Sequence, residues 1–207
     1  MLYISADAAR QWGRERIVHM TAPVTSQDFD RSYAAQLTMW GDFRIPPEVK
    51  ELLERKKPKM ALELGCGIGR ICRYMAGQGL QVTGVDFSPV AIAKARSRVA
   101  RDIAKPTFLV GDVTNLNSLE GPFDVSWDVG CFHCLDQAGQ RAYASEVGRL
   151  LRAGGTHLLW AMDRAPSDLP MTEDAIQQVF APTFKLDAAR ENRRRLAQSR
   201  WFWLTKA

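Results

Sequence analysis

Apolar positions along this chain recur with two periods that take turns from residue 46 onward. M-A-L-E-L (60–64), Q-V-T-G-V-D (81–86), T-F-L-V (107–110), F-D-V-S-W-D (123–128) and T-H-L-L-W-A-M (156–162) are short runs with strand character. Between them the spacing turns helical. P-P-E-V-K-E-L-L-E-R-K places Val49, Leu52 and Leu53 on one face behind Pro46-Pro47, with acids in its first turn. Gly69 to Gly79 reads as a helix closed by glycine. S-P-V-A-I-A-K-A-R-S-R-V-A starts with Ser88 as N-cap and Pro89 at the first helical position. Gln137 to Leu151 reads as a helix ended by Gly154-Gly155.

Strand and helix in alternation predict an α/β fold, a parallel sheet with helices on both faces. The tail breaks the rhythm. After a helix from Thr172 to Phe180, T-F-K-L-D-A (183–188) and S-R-W-F-W-L-T (199–205) follow with only polar, Arg-rich residues between them. Two strands joined without a helix form a hairpin, so one of the seven strands runs against the others. Residues 1–45 have no clean period and are expected to form a helical appendage or lid on the 46–207 body. Trp12, Phe29, Tyr33 and Trp40 are its aromatic side chains, available either for ordinary packing or for covering a flat ligand.

Composition narrows the class. The chain has 207 residues, 46% hydrophobic and 25% charged, which suits one globular domain with a small addition. No apolar run reaches the ~18 residues of a membrane helix, and the opening segment has neither a secretory core nor the acid-poor character of a transit peptide. Four cysteines in no framework-like array fit reduced thiols, so a cytoplasmic location is expected. The net charge of +5 does not by itself indicate nucleic acid. Basic residues are spread along helices, and the one dense cluster, Arg193-Arg194-Arg195, lacks interleaved aromatics.

The candidate chemistry centres on E-L-G-C-G-I-G-R (63–70), which leaves the first strand with glycine at alternate positions. Ligands of open parallel sheets sit at the carboxyl ends of the strands, so this turn is correctly placed for one. Its G-x-G-x-G spacing is one residue short of the pyrophosphate fingerprint. The second strand ends in Asp86, where an acid can take both ribose hydroxyls. Glu63, just before the turn, puts negative charge near the ligand, which suits a sulfonium better than a diphosphate.

These residues resemble the class I S-adenosylmethionine-dependent methyltransferases. E-L-G-C-G-I-G-R looks like that family's first motif and V-T-G-V-D-F-S-P its second, while G-D-V-T-N-L (111–116) looks like its third. The resemblance implies a Rossmann-like sheet of seven strands with an antiparallel C-terminal strand, and S-adenosylmethionine as cofactor. It implies contacts from Gly65, Cys66 and Gly67 in the turn, Asp86 on the ribose, Phe87 against the adenine, Asp112 accepting from the adenine amino group and Val113 beside the ring. M-W-G-D-F-R-I-P-P-E (39–48) and D-V-G-C-F-H-C-L (128–135) are similar to segments of the small-molecule branch that includes thiopurine and tellurite-resistance methyltransferases. By that likeness Trp40 closes over the methionine half of the cofactor, and the strand end at Asp128 faces both cofactor and acceptor.

Methyl transfer is then expected to a small, aromatic or heterocyclic acceptor at N, O or S. His133, on a loop at a strand's carboxyl end, reads either as a base for the acceptor or as a ring that bonds backbone and shapes the pocket floor. His157 reads as core, and His19 lies on the appendage. Cys131 and Cys134 have no second pair at zinc-site spacing, so no metal is expected. Two other readings remain: an NAD-dependent reductase, opposed by the glycine spacing and the absence of a Tyr-x-x-x-Lys pair, and a protein or RNA methyltransferase, opposed by the lack of room for a recognition domain.

Overall fold

A computed structural model describes residues 26–34, 44–99, 105–163, 165–192 and 198–207. Its seven strands are β1 (Met60–Leu64), β2 (Gln81–Asp86), β3 (Thr107–Val110), β4 (Phe123–Val129), β5 (Leu151–Met162), β6 (Phe184–Glu191) and β7 (Ser199–Lys206), in the sheet order β3-β2-β1-β4-β5-β7-β6. Only β7 runs against the rest. It pairs antiparallel with β5 on one side and β6 on the other, so β6 is again parallel to the body of the sheet. The expected hairpin is there, and the strand order reverses between β1 and β4, where Leu64 sits opposite Asp128.

Six described helices cover the two faces: α1 (Ser26–Ala34), α2 (Pro47–Lys56), α3 (Arg70–Gly77), α4 (Pro89–Ser97), α5 (Gln137–Leu150) and α6 (Glu173–Phe180). Alternation along each strand sorts the core. Val49, Leu52, Ile71, Met75 and Ile92 meet Ala61 and Val125 on one face, joined there by Trp127, Trp160, Trp201 and Trp203. Leu62, Leu64, Phe202 and Leu204 point the other way, toward Tyr143, Val147, Ile176 and Phe180. Central strands buried on both faces need near-continuous apolar runs, which is why M-A-L-E-L does not alternate with polar residues. Helix starts are chemically explicit. Ser88 Oγ accepts from Ala91 N at 3.0 Å with Pro89 behind it, and Thr172 and Asp136 cap α6 and α5 in the same way.

Two expectations need correction. Gly154-Gly155 does not end a helix, because α5 stops at Leu150 and buried Leu151 pairs at once with Phe123. The register then shifts, and Gly154, at φ +69°, lies inside an irregular stretch that brings Thr156 beside Val125. The strand expected over 183–188 runs on to Glu191 as β6, and its Arg190 bonds Glu51 of α2 at 2.7 Å beside the Trp203 ring. Arg193, Arg194 and Arg195 lie outside the described residues, as do Trp12, His19 and Trp40. Among the described residues no helix is long and apolar enough to cross a membrane.

Candidate active site

The glycine turn joins β1 to α3 at the strand-order reversal. Gly65, Gly67 and Gly69 all take positive φ, at 68°, 53° and 70°, a region that side chains disfavour. Each also faces a neighbour that a Cβ would strike. At Gly65 the Cβ would stand 2.4 Å from Cys131 Cβ, at Gly67 2.8 Å from the Tyr33 hydroxyl, and at Gly69 2.3 Å from Phe108. Side chains are kept away here because protein closes on the turn from three sides, leaving Gly67 and Gly69 buried and Gly65 half-buried.

Two carboxyl groups hold this turn in shape. Asp86, at the tip of β2, accepts from Gly67 N at 2.7 Å and from Ser88 N at 2.9 Å. Burial pushes its carboxyl above the ordinary range despite these bonds. Glu63 points beneath the turn instead of into its mouth. Its Oε2 accepts from Cys72 N at 3.0 Å and from Cys72 Sγ at 2.8 Å. The N-cap of α3 is Gly69, which has no side chain to offer, and the first turn carries no acid. Glu63 supplies the missing acceptor from the neighbouring strand. Full burial pushes it up to about 7.

Across the cleft, Asp128 does the same for the segment after β4. Its Oδ1 accepts from Cys131 N at 2.8 Å, and its Oδ2 accepts from Phe132 N at 2.8 Å and from the Tyr143 hydroxyl at 3.0 Å. These bonds shape the 3-10 turn Phe132–Cys134 and set Cys131 against Gly65. The Asp128 carboxyl is wholly buried and stands at about 6, burial again being the largest cause. Burial also drives the Cys131 thiol well up, and charge from Asp128, Cys134, Asp86 and Asp112 adds to it.

His133 lies in the same turn. Its Nδ1 accepts from Met162 N at 3.0 Å, and its ring meets Trp160 edge-on at 5.6 Å. A neutral imidazole that accepts at Nδ1 carries its proton on Nε2 and is a donor there. Of the two readings of His133, the bond from Met162 N matches a ring bonded to backbone, and the base is left for experiment.

The outer rim is apolar. Phe87 and Val110 stand at the ends of β2 and β3, and Val110 pairs with Asp86. They are two of the three exposed large apolar side chains among the described residues. Helix α1 crosses this corner. Phe29 meets Phe87 at 5.2 Å, the Ser88 hydroxyl donates to Asp30, and Lys94 donates to the Tyr33 carbonyl. Asp112 is exposed and turned onto its own loop, accepting from Thr114 N and Oγ1 at 2.8 and 2.7 Å, while Val113 is buried beside it.

A methyltransferase-domain family matches residues 61–155, from β1 into β5. An uncharacterized methyltransferase of Schizosaccharomyces pombe is 31% identical over 100 residues, which are 48% of this chain and 69% of that protein. A 2-heptyl-1-hydroxyquinolin-4(1H)-one methyltransferase of Mycobacteroides abscessus is 26% identical over 156 residues, 72% of this chain and 69% of that one. In three dimensions the chain is similar to a 1,6-didemethyltoxoflavin-N1-methyltransferase of Burkholderia thailandensis, with TM-score 0.73, 22% identity and coverage of 90% and 92% of the two chains.

The chain is an S-adenosylmethionine-dependent methyltransferase.

The cleft of this methyltransferase fits its cofactor chemically. At the strand tips stand the Asp86 and Asp112 carboxyls, which are acceptors a ribose or an amino group can use, and the exposed apolar side chains of Phe87 and Val110. The structure brings Gly65, Cys66, Gly67, Asp86, Phe87, Asp112 and Val113 to the strand tips, and sets Glu63 and Asp128 behind them. Sequence reading named Tyr33 and Cys131 but not their places above Gly67 and against Gly65, and it passed over Tyr143 behind Asp128. D-V-G-C-F-H-C-L marked the Cys131 segment; no short-range signal marked Tyr143.

Proposed function

We propose that this methyltransferase modifies a small molecule, an aromatic or heterocyclic nucleophile offering N, O or S. The observation that carries the reading is the meeting of the glycine turn with the segment after β4 at the strand-order reversal, where Gly65 packs on Cys131 and the tips carry Asp86, Phe87 and Asp112. Ligands of such sheets lie at this crevice, and the acceptor must meet the methyl group beside it. The names of the relatives support an acceptor of this class, since one refers to a hydroxyquinolinone and the other to didemethyltoxoflavin.

S-adenosylmethionine, when bound, supplies an activated methyl group. Asp86 has a second acceptor site on each oxygen with which to take the ribose hydroxyls. Phe87, Val110 and Val113 would enclose the adenine, with Asp112 at its amino group. Gly65, Cys66 and Gly67 would present backbone to the sugar and methionine portions. Trp40, outside the described residues, would close over the methionine half, with Tyr33 bordering it at Gly67. Glu63 and Asp128 act by positioning. Gly130, His133, Trp160 and Met162 form the acceptor side, where the Nε2 proton of His133 would orient a lone pair on the acceptor. An acceptor that ionises unaided, such as a thiol or an N-hydroxy heterocycle, matches a site with a donor at this point. Aligning nucleophile and methyl group in a shielded pocket contributes roughly 7–11 kcal/mol in favourable cases.

Thermal-shift measurement with S-adenosylhomocysteine and with NADH tests the cofactor assignment, and stabilisation by NADH alone would overturn it. Labelled S-adenosylmethionine offered with hydroxyquinolines, thiols and heteroaromatic amines tests the acceptor class. Labelling of protein or RNA with no small molecule labelled would replace it. In His133→Ala the rate should fall while its pH dependence still follows the acceptor's own ionisation; loss of the acid limb would establish a base.

A further inference from the structure

Behind the cleft, four polar side chains on three elements form a continuous line through the apolar core. Ser126 of β4 and His157 of β5 are wholly buried, as are Tyr143 of α5 and Asp128. Ser126 Oγ lies 2.8 Å from His157 Nδ1, the Tyr143 hydroxyl 3.3 Å from His157 Nε2, and the same hydroxyl 3.0 Å from Asp128 Oδ2. Proton positions along this line are determined by elimination. A carboxylate only accepts, so Tyr143 donates to Asp128. Its single proton is then used, so His157 must donate to Tyr143 from Nε2. Nδ1 is left as an acceptor, and Ser126 donates to it. Burial holds His157 down at about 3, so the ring is neutral and the order is fixed. Every donor points toward Asp128, which also takes the amides of Cys131 and Phe132.

We propose that Ser126, His157 and Tyr143 are positioning residues. They fix the orientation of the Asp128 carboxylate, and through it the placement of the Cys131–Cys134 turn against Gly65. Separation across the cleft, and with it the line from acceptor to methyl group, is thus set from inside the sheet. The catalytic half of this inference rests on the function proposed above. Hydrogen-bonded chains polarise one another in a low-dielectric interior, so each member strengthens the next. Asp128 faces Tyr143 from α5, His157 beyond it from β5, Cys131 and Cys134 in its own turn, and apolar Leu64 across β1. Glu63 titrates on the opposite face and does not touch Tyr143.

Tyr143→Phe tests the line, because the ring keeps its packing on Phe132 and Phe180 while the hydroxyl is lost. Three readouts are expected. Amide exchange at Cys131 and Phe132 should accelerate about tenfold. Methyl-transfer kcat should fall about tenfold, with affinity for S-adenosylhomocysteine changed less than about twofold. The acid limb of kcat/KM should move to higher pH, since the anion of Asp128 loses a donor. Glu63 contributes equally to both proteins, so the displacement between them reports Asp128. Ser126→Ala should move exchange and pH limb the same way by a smaller amount, and it decides the matter if Tyr143→Phe does not fold. Unchanged amide exchange, or an unmoved acid limb, overturns the proposal. Failure of the wild type to bind S-adenosylhomocysteine is a separate result, which sinks the cofactor reading while the amide measurement still decides the network.

Discussion

Glu63 and Asp128 occupy equivalent places, each one residue before the end of a central strand, and they face opposite layers of helices. Both are buried and both accept backbone N–H groups from the segment that follows their strand. Their surroundings differ in the number of donors. Glu63 receives one N–H and one S–H, whereas Asp128 receives two N–H groups and a phenol. Glu63 stands at about 7 and Asp128 at about 6. Burial raises either group, and donors pull it back toward the charged form. Most of that difference is the one between ordinary Glu and Asp, so burial shifts the two alike; the comparison teaches that a buried carboxyl can serve as a helix cap or as a hub, and that the donor count sets what its removal leaves unpaired.

Removing each group gives the largest effects. Asp128→Ala strands three buried donors at a few kcal/mol for the group, about 4 in all, while Glu63→Ala should lose about 2. Urea unfolding at pH 7 measures both, and equal losses would break the donor-count explanation. Next comes pH. A folded-state value of about 7 against an ordinary 4.5 means that the folded chain retains the Glu63 proton longer than the unfolded one. Its stabilising contribution is therefore complete below 4.5 and is lost as pH rises through 7. Glu63→Gln removes that slope, so its stability relative to wild type should grow by on the order of 3 kcal/mol between pH 4.5 and 8. Asp128 adds a slope of the same sign between 3.8 and about 6, which the variant retains. A flat difference across a pH series of unfolding curves would show that Glu63 is solvated.

A third carboxyl sharpens the contrast, because Asp86 both ties the turn and borders the cleft. Asp86→Ala should weaken S-adenosylhomocysteine binding roughly 30-fold, the loss of a charge-assisted pair of bonds worth about 2 kcal/mol, as read by calorimetry. Asp112→Asn marks the lower end. Its local turn survives the change, so stability should stay within about 0.5 kcal/mol and affinity should fall less than about threefold. A loss comparable to that of Asp86→Ala would move Asp112 into the main binding machinery.

The strands, the glycine turn and the acid at the end of β2 were legible in the sequence because each is a local pattern: an apolar run, a φ requirement, a capping pair. The start of β5 was not. Gly154-Gly155 looks like a helix stop, and only the pairing of Leu151 with Phe123 reveals a bulge. Glu63 and Asp128 could be placed at the cleft but not oriented, because their partners Cys72 and Tyr143 lie nine and fifteen residues away on helices whose rotation one strand does not determine. The role of His133 could not be chosen from sequence for a similar reason. Its tautomer depends on Met162, 29 residues further on.

The late position of β7 has a consequence for synthesis. This strand lies between β5 and β6, yet it is made after both. Until Ser199–Lys206 is made, β5 presents an open apolar edge and β6 has no neighbour in the sheet. The nascent chain must therefore wait with its switch-point strands assembled and one flank unpaired, an invitation to other chains. A nonsense codon anywhere before Ser199 would make that waiting state permanent, and such products should be found with chaperones or in inclusion bodies.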